Sequence, residues 1–142
     1  MKLLIKPPMV VLAAITIAAI LAAVSTPSHA QEAMDGKALF LKNCAACHQV
    51  SGKGIPGAFP ALAGNKFVQG KAADPASVLL KGRGGMPDFS DSLSDRDIAT
   101  VLSYVRSAWG NQADTLTEAE VQTLRTTLGV DAYSGGVMSN KH

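Results

Sequence analysis

The sequence predicts an all-α fold. Two segments carry complete helix-start signatures, Ser94 with Asp97 and Thr117 with Glu120. Each is a Ser/Thr-x-x-Asp/Glu box followed by an apolar stripe at helical spacing. No stretch alternates apolar and polar residues for long enough to make a strand. Segments rich in Gly and Pro, at 51–64 and 82–92, cut the remaining chain into short helical pieces.

The first 30 of the 142 residues do not read as domain sequence. Lys2 and Lys6 give a positive start, Met9 to Val24 is a 16-residue apolar run, and Ser28 and Ala30 occupy the −3 and −1 positions of a cleavage site. This is the three-part pattern of a secretory signal peptide, cut after Ala30. The alternative is an uncut anchor, but the run falls short of the roughly 20 residues a spanning helix needs. Without the two leader lysines the chain has 11 basic and 11 acidic residues. That balance gives no basic stripe for nucleic acid and no acidic tail.

A first helix is expected over residues 33–46. Asp35 stands near its start, where a carboxylate favours the positive end of the helix dipole. Gly36, Phe40 and Cys44 share one face of it, and the glycine allows another backbone to come close. Ser51 to Gly64 has no helical period, yet holds Ile55, Phe59 and Leu62, apolar residues that need a surface to lie on. Asn65 to Gly70 fits a single turn. Asp74-Pro75 opens a further helix, with Asp74 as N-cap and Pro75 at the first helical position, ending at Gly82. Gly82 to Ser92 is irregular and contains Met86. Ser94 to Trp109 is the clearest helix, with Leu93 and Ile98 as staple pair, a stripe of Ile98, Val101, Leu102, Val105 and Trp109, and Gly110 as stop. The last helix has Leu116 and Val121 as staple, Val121, Leu124 and Leu128 as stripe, and Gly129 as stop. Residues 130–142 read as a flexible tail.

Both cysteines of the chain lie in Cys44-Ala45-Ala46-Cys47-His48. Cys-x-x-Cys-His is the pattern of covalent c-type haem attachment. Two thiols add across the haem vinyl groups, and the next residue offers an imidazole nitrogen to the iron. A thioredoxin-type dithiol would need a preceding strand, and a zinc site would need a second Cys/His pair; the sequence supplies neither. The second axial position has four candidates, Met34, Met86, Met138 and His142. Met34 precedes the motif on the same helix, and Met138 and His142 lie in the tail. Met86 sits in a Gly-rich loop, next to Pro87, which restricts it to extended conformations. The alternatives are a Met86 that only fills a gap in the packing, and an open axial position.

Taken together these residues resemble the class I cytochromes c, specifically the small periplasmic bacterial monohaem type. The resemblance covers roughly residues 33–110, and the run from Met86 to Asn111 is similar to cytochrome subunits of periplasmic dehydrogenases. It implies three to five helices around one covalent haem c, with crossed N- and C-terminal helices meeting at Gly36, Phe40, Val101 and Tyr104. In that family Cys44 and Cys47 would carry the haem, and His48 and Met86 would be its axial iron ligands. The carbonyl of Pro60 would accept a hydrogen bond from His48, and Phe59, Leu62 and Phe89 would pack around the haem. Arg83 and Lys81 are the candidate propionate partners. The resemblance implies a haem domain over 31–111; the additional C-terminal helix, over 112–129, lies beyond the family's minimal fold. The expected role is that of an electron carrier, not a catalyst, in the periplasm. A periplasmic dehydrogenase is the expected donor, and a terminal oxidase or other cytochrome the acceptor. The chain would work as a monomer or as a subunit of a heteromer. The rival functions are a five-coordinate haem protein binding a small ligand, and a haem-free dithiol redox protein.

Overall fold

The computed structural model describes residues 35–135. The expected leader, Met34, Met138 and His142 lie outside the described residues. Within them the chain is helical: α1 (Gly36–Asn43), α2 (Ala45–His48), α3 (Lys66–Gln69), α4 (Ala73–Lys81), α5 (Asp95–Ser107) and α6 (Glu118–Thr127). The only extended pairings described are two isolated bridges, Ile55 with Phe59 and Arg83 with Met86.

The first predicted helix is shorter than expected. Asp35 caps it, its carboxylate accepting from the Ala38 amide at 2.7 Å, and Cys44 leaves helical geometry at φ −124°. The attachment motif therefore occupies a separate turn, α2, and does not continue α1. Across from α1 lies α5. A Cβ on Gly36 would stand 2.6 Å from both the Thr100 carbonyl oxygen and Tyr104 Cβ, so the two backbones touch where only glycine leaves room. Phe40, fully buried, lies below this crossing, with its ring 5.7 Å from that of Tyr104 and 5.0 Å from that of Trp109.

The helix at Asp74-Pro75 begins earlier than predicted. Its N-cap position is Ala72, and no side chain caps it. A backbone bond from the Asp74 amide to the Lys71 carbonyl already turns the chain there. Pro75 is tolerated because no N–H of the first turn needs an intrahelical partner. Asp74 lies inside that turn and supports the helix dipole instead of capping it. α4 ends at Gly82, as expected.

α5 has both halves of the predicted capping box. It ends at Ser107, two residues before the predicted end, because Ala108 is extended and Trp109 has φ +53°. That reversal carries the indole off the helix stripe and towards the loop after the motif, where Nε1 donates to the Val50 carbonyl at 3.1 Å. α6 also has its full capping box, and Val121 is buried against the core. The start of the predicted tail is not free: Val130 packs on the core, and the Val130 amide donates to the Arg125 carbonyl. No helix of the described residues is long and apolar enough to cross a membrane.

Candidate functional site

His48 closes the motif turn. Its amide donates to the Cys44 carbonyl at 3.0 Å, and Gln49 then takes a positive φ of 65° that sends the chain back across the turn. The returning segment folds on Gly54, where a Cβ would collide with the carbonyl oxygens of Phe59 and Pro60. That approach brings the Pro60 carbonyl oxygen to 2.9 Å from His48 Nδ1. A carbonyl only accepts, so Nδ1 carries the proton and Nε2 is left as the lone-pair donor. His48 is 6% exposed.

The opposite side of the cleft comes from the loop after α4. Arg83 and Met86 exchange both backbone hydrogen bonds, each at 3.1 Å. The Phe89 amide donates to the Leu79 carbonyl at 2.7 Å, which ties the loop's far side to α4. Met86 is thereby held, half-buried, on a short clip.

Two adjoining cavities meet between these segments. Both are bordered by Cys44, His48, Pro60 and Met86; Leu62 completes one, and Cys47, Phe59 and Phe89 the other. All eight residues singled out from the sequence thus surround one cleft. Arg83 also borders both cavities, its guanidinium 4.3 Å above the Phe67 ring. Lys81 is exposed and does not border the cleft.

Its chemistry fits a covalent haem. The donor set is one imidazole and one thioether, with two unbridged thiols on a single turn and otherwise mostly apolar walls. A dithiol redox centre needs a lowered thiol pKa. Here burial, and then the neighbouring Cys47, push the Cys44 thiol up to about 11. Among the described residues no cluster of three or more His, Cys, Asp or Glu side chains offers a bare metal site.

Sequence reasoning missed three buried side chains that brace this cleft. Asn111 accepts from the Gly64 amide at 2.8 Å and donates to the Leu62 and Val105 carbonyls at 3.0 and 2.8 Å. Arg106 donates to the carbonyls of Val68, Gly70 and Asp114. Arg125 joins α6 to the chain between Ser90 and Asp95. A signal was present for the two arginines, since each falls among the apolar stripe positions of its helix. A charge there is costly unless every donor is satisfied.

Residues 31–105 match the family described as cytochrome c oxidase, cbb3-type, subunit III. Cytochrome c-552 of Thermus thermophilus is 38% identical over 93 residues, an alignment covering 54% of this chain and 70% of that protein. The chain belongs to the cytochrome c family. Cytochrome c6 of a Picosynechococcus species is 34% identical over 101 residues, covering 65% of this cytochrome and 86% of that one. The cytochrome c subunit of the quinone alcohol dehydrogenase of Gluconobacter oxydans is 36% identical over 121 residues, 75% of this chain. This cytochrome spans only 25% of that subunit's length. Its fold is the small all-α class I type, and its cofactor is haem c, iron-containing and covalently bound.

Proposed function

We propose that this chain is a periplasmic electron-transfer monohaem cytochrome with His48 and Met86 as axial ligands and Cys44 and Cys47 as thioether attachment points. It takes electrons from a periplasmic dehydrogenase and passes them to a terminal oxidase or another cytochrome. The observation that carries this reading is the cleft itself, with His48 and Met86 on its border from separate segments and both cysteines beside them. The dehydrogenase partner is supported by relatives named as cytochrome c subunits of alcohol and gluconate dehydrogenases.

The bound group supplies one-electron chemistry at iron. The chain's part is to hold both ligands unchanged while the charge changes. Pro60 fixes the His48 ring and its tautomer. The Arg83–Met86 backbone pair limits the travel of the thioether. Phe59, Leu62 and Phe89 keep water from the cleft walls, which favours the less charged state of the site. A thioether also favours the reduced state relative to a second nitrogen ligand. Catalysis is not part of this role. Residues 1–30 serve as the export signal in this reading.

The test is Met86→Ala in the holoprotein. The wild-type oxidised protein is expected to have the long-wavelength sulfur-to-iron charge-transfer band. Met86→Ala should lose it, with a fall in reduction potential. A band absent from the wild type, or unchanged in Met86→Ala, overturns the ligand assignment in favour of a five-coordinate haem.

A further inference from the structure

α6 lies beyond the stretch that matches the family, which ends at residue 105. One of its side chains nevertheless reaches the loop that carries Met86. Arg125 is 3% exposed. Its Nε donates to Asp95 Oδ1 at 2.6 Å, and Nη1 donates to the Ser90 and Asp131 carbonyls at 3.1 and 2.9 Å. Nη2 lies 3.5 Å from the Leu93 carbonyl. One guanidinium therefore joins α6, the start of α5 and the end of the methionine loop.

The connection continues towards Met86. Ser90, whose carbonyl Arg125 holds, donates from its hydroxyl to Asp88 Oδ1 at 2.8 Å and from its amide to the same oxygen at 3.3 Å. Asp88 follows Pro87, the residue after Met86. The near side of the loop is fixed by its own backbone pairing, and on the far side Phe89 is tied to Leu79. Arg125 adds a second far-side anchor, one residue further on at the Ser90 carbonyl. Loops carry few regular hydrogen bonds and open at low cost unless such anchors close them.

We infer that Arg125 is a positioning residue for Met86: α6 acts as a clamp on the methionine loop and sets how readily the thioether leaves its axial position. The inference rests on Met86 being that ligand. Removing the guanidinium leaves the Ser90 carbonyl and the Asp95 carboxylate without their buried donor, and the Ser90–Asp88 turn loses its support. The loop then opens more often, while His48 and Pro60, on the other side of the cleft, are untouched.

The experiment is an imidazole titration of the oxidised full-length holoprotein, alongside its charge-transfer band and its urea midpoint. External imidazole occupies the axial position only when the thioether has left it, so its apparent affinity reads the open population. Arg125→Gln should raise that affinity about tenfold, a change of ~1.4 kcal/mol in the loop equilibrium. Val121→Ala, which loosens the same helix through the core without touching the clamp, should lower the urea midpoint and change imidazole affinity by less than about twofold. Equal effects of the two substitutions, or no effect of Arg125→Gln, overturn the clamp. If Arg125→Gln does not accumulate, Arg125→Lys should give a smaller rise in the same direction, and no rise overturns the clamp. A wild type without the band, whose imidazole affinity Met86→Ala leaves unchanged, overturns the ligand reading beneath it.

Discussion

His48 Nδ1 lies 2.9 Å from the carbonyl oxygen of Pro60. The contact joins the motif turn to a loop residue twelve positions on, and it settles which ring nitrogen carries the proton. The loop reaches this point only because Gly54 lets it double back, and Pro60 narrows its conformations further.

Pro60→Ala keeps the carbonyl but frees the backbone. The unfolded chain gains entropy and the hydrogen bond becomes easier to break, so stability should fall by about 0.5–1 kcal/mol in urea unfolding. The reduction potential should rise, because a less firmly bonded Nδ1–H leaves the imidazole a weaker donor to oxidised iron. The methionine loop is not involved, so the charge-transfer band should keep its intensity.

The α1–α5 crossing has no room for a side chain at Gly36, where the nearest neighbour is the backbone oxygen of Thr100. Gly36→Ala should cost about 1–3 kcal/mol by overpacking. The gain in helix propensity, about 1 kcal/mol at most, does not offset this. Thermal unfolding of the holoprotein measures it, and a stabilised variant would refute the close approach.

Asn111 uses its whole amide, one acceptor and two donors, to join the end of α5 to the loop beyond Pro60. Asn111→Ala would strand the Gly64 amide and two carbonyls, at a cost of about 3 kcal/mol. Asn111→Asp keeps the acceptor for Gly64 but sets a buried carboxylate oxygen against the Leu62 and Val105 carbonyls, so at neutral pH its urea midpoint should be no higher than that of the alanine variant.

The Glu120 carboxyl is held below its ordinary value of 4.5, first by the Thr117 amide and then by the Thr117 hydroxyl. A pKa lowered in the folded state gives stability that is present above the ordinary value and lost as pH falls through the folded one. Thermal midpoints from about pH 6 down to about pH 3 should therefore drop less steeply in Glu120→Gln than in the wild type. Identical slopes would mean that the capping box does not titrate as part of the fold.

Local signals in the sequence carried much of this structure. Both capping boxes, the stops at Gly82 and Gly129, and the close approach at Gly36 depend on short-range chemistry, and each lies where the sequence places it. The misplaced boundaries depend on backbone geometry and tertiary contact that residue type does not reveal. α1 breaks at Cys44, where the chain leaves helical geometry and starts the separate motif turn. α5 ends early because Trp109 finds partners in Phe40 and Val50. The eight cleft residues were legible through motif and resemblance. Arg106 and Arg125 were marked only as charges on apolar stripes, and the partners of all three bracing residues, Asn111 included, were not legible, because they are mainly backbone carbonyls that leave no mark in residue type.

Trp109 gives the molecule an internal fluorophore. It is the single tryptophan of the chain, and its indole packs on Gly52 and donates to Val50, both within four residues of His48. A haem seated in the adjoining cleft would absorb where indole emits, so emission should be quenched while the end of α5 stays docked beside the motif. Emission returns when the two segments part. A rise in intensity therefore reports the separation of α5 from the motif loop, without any added label.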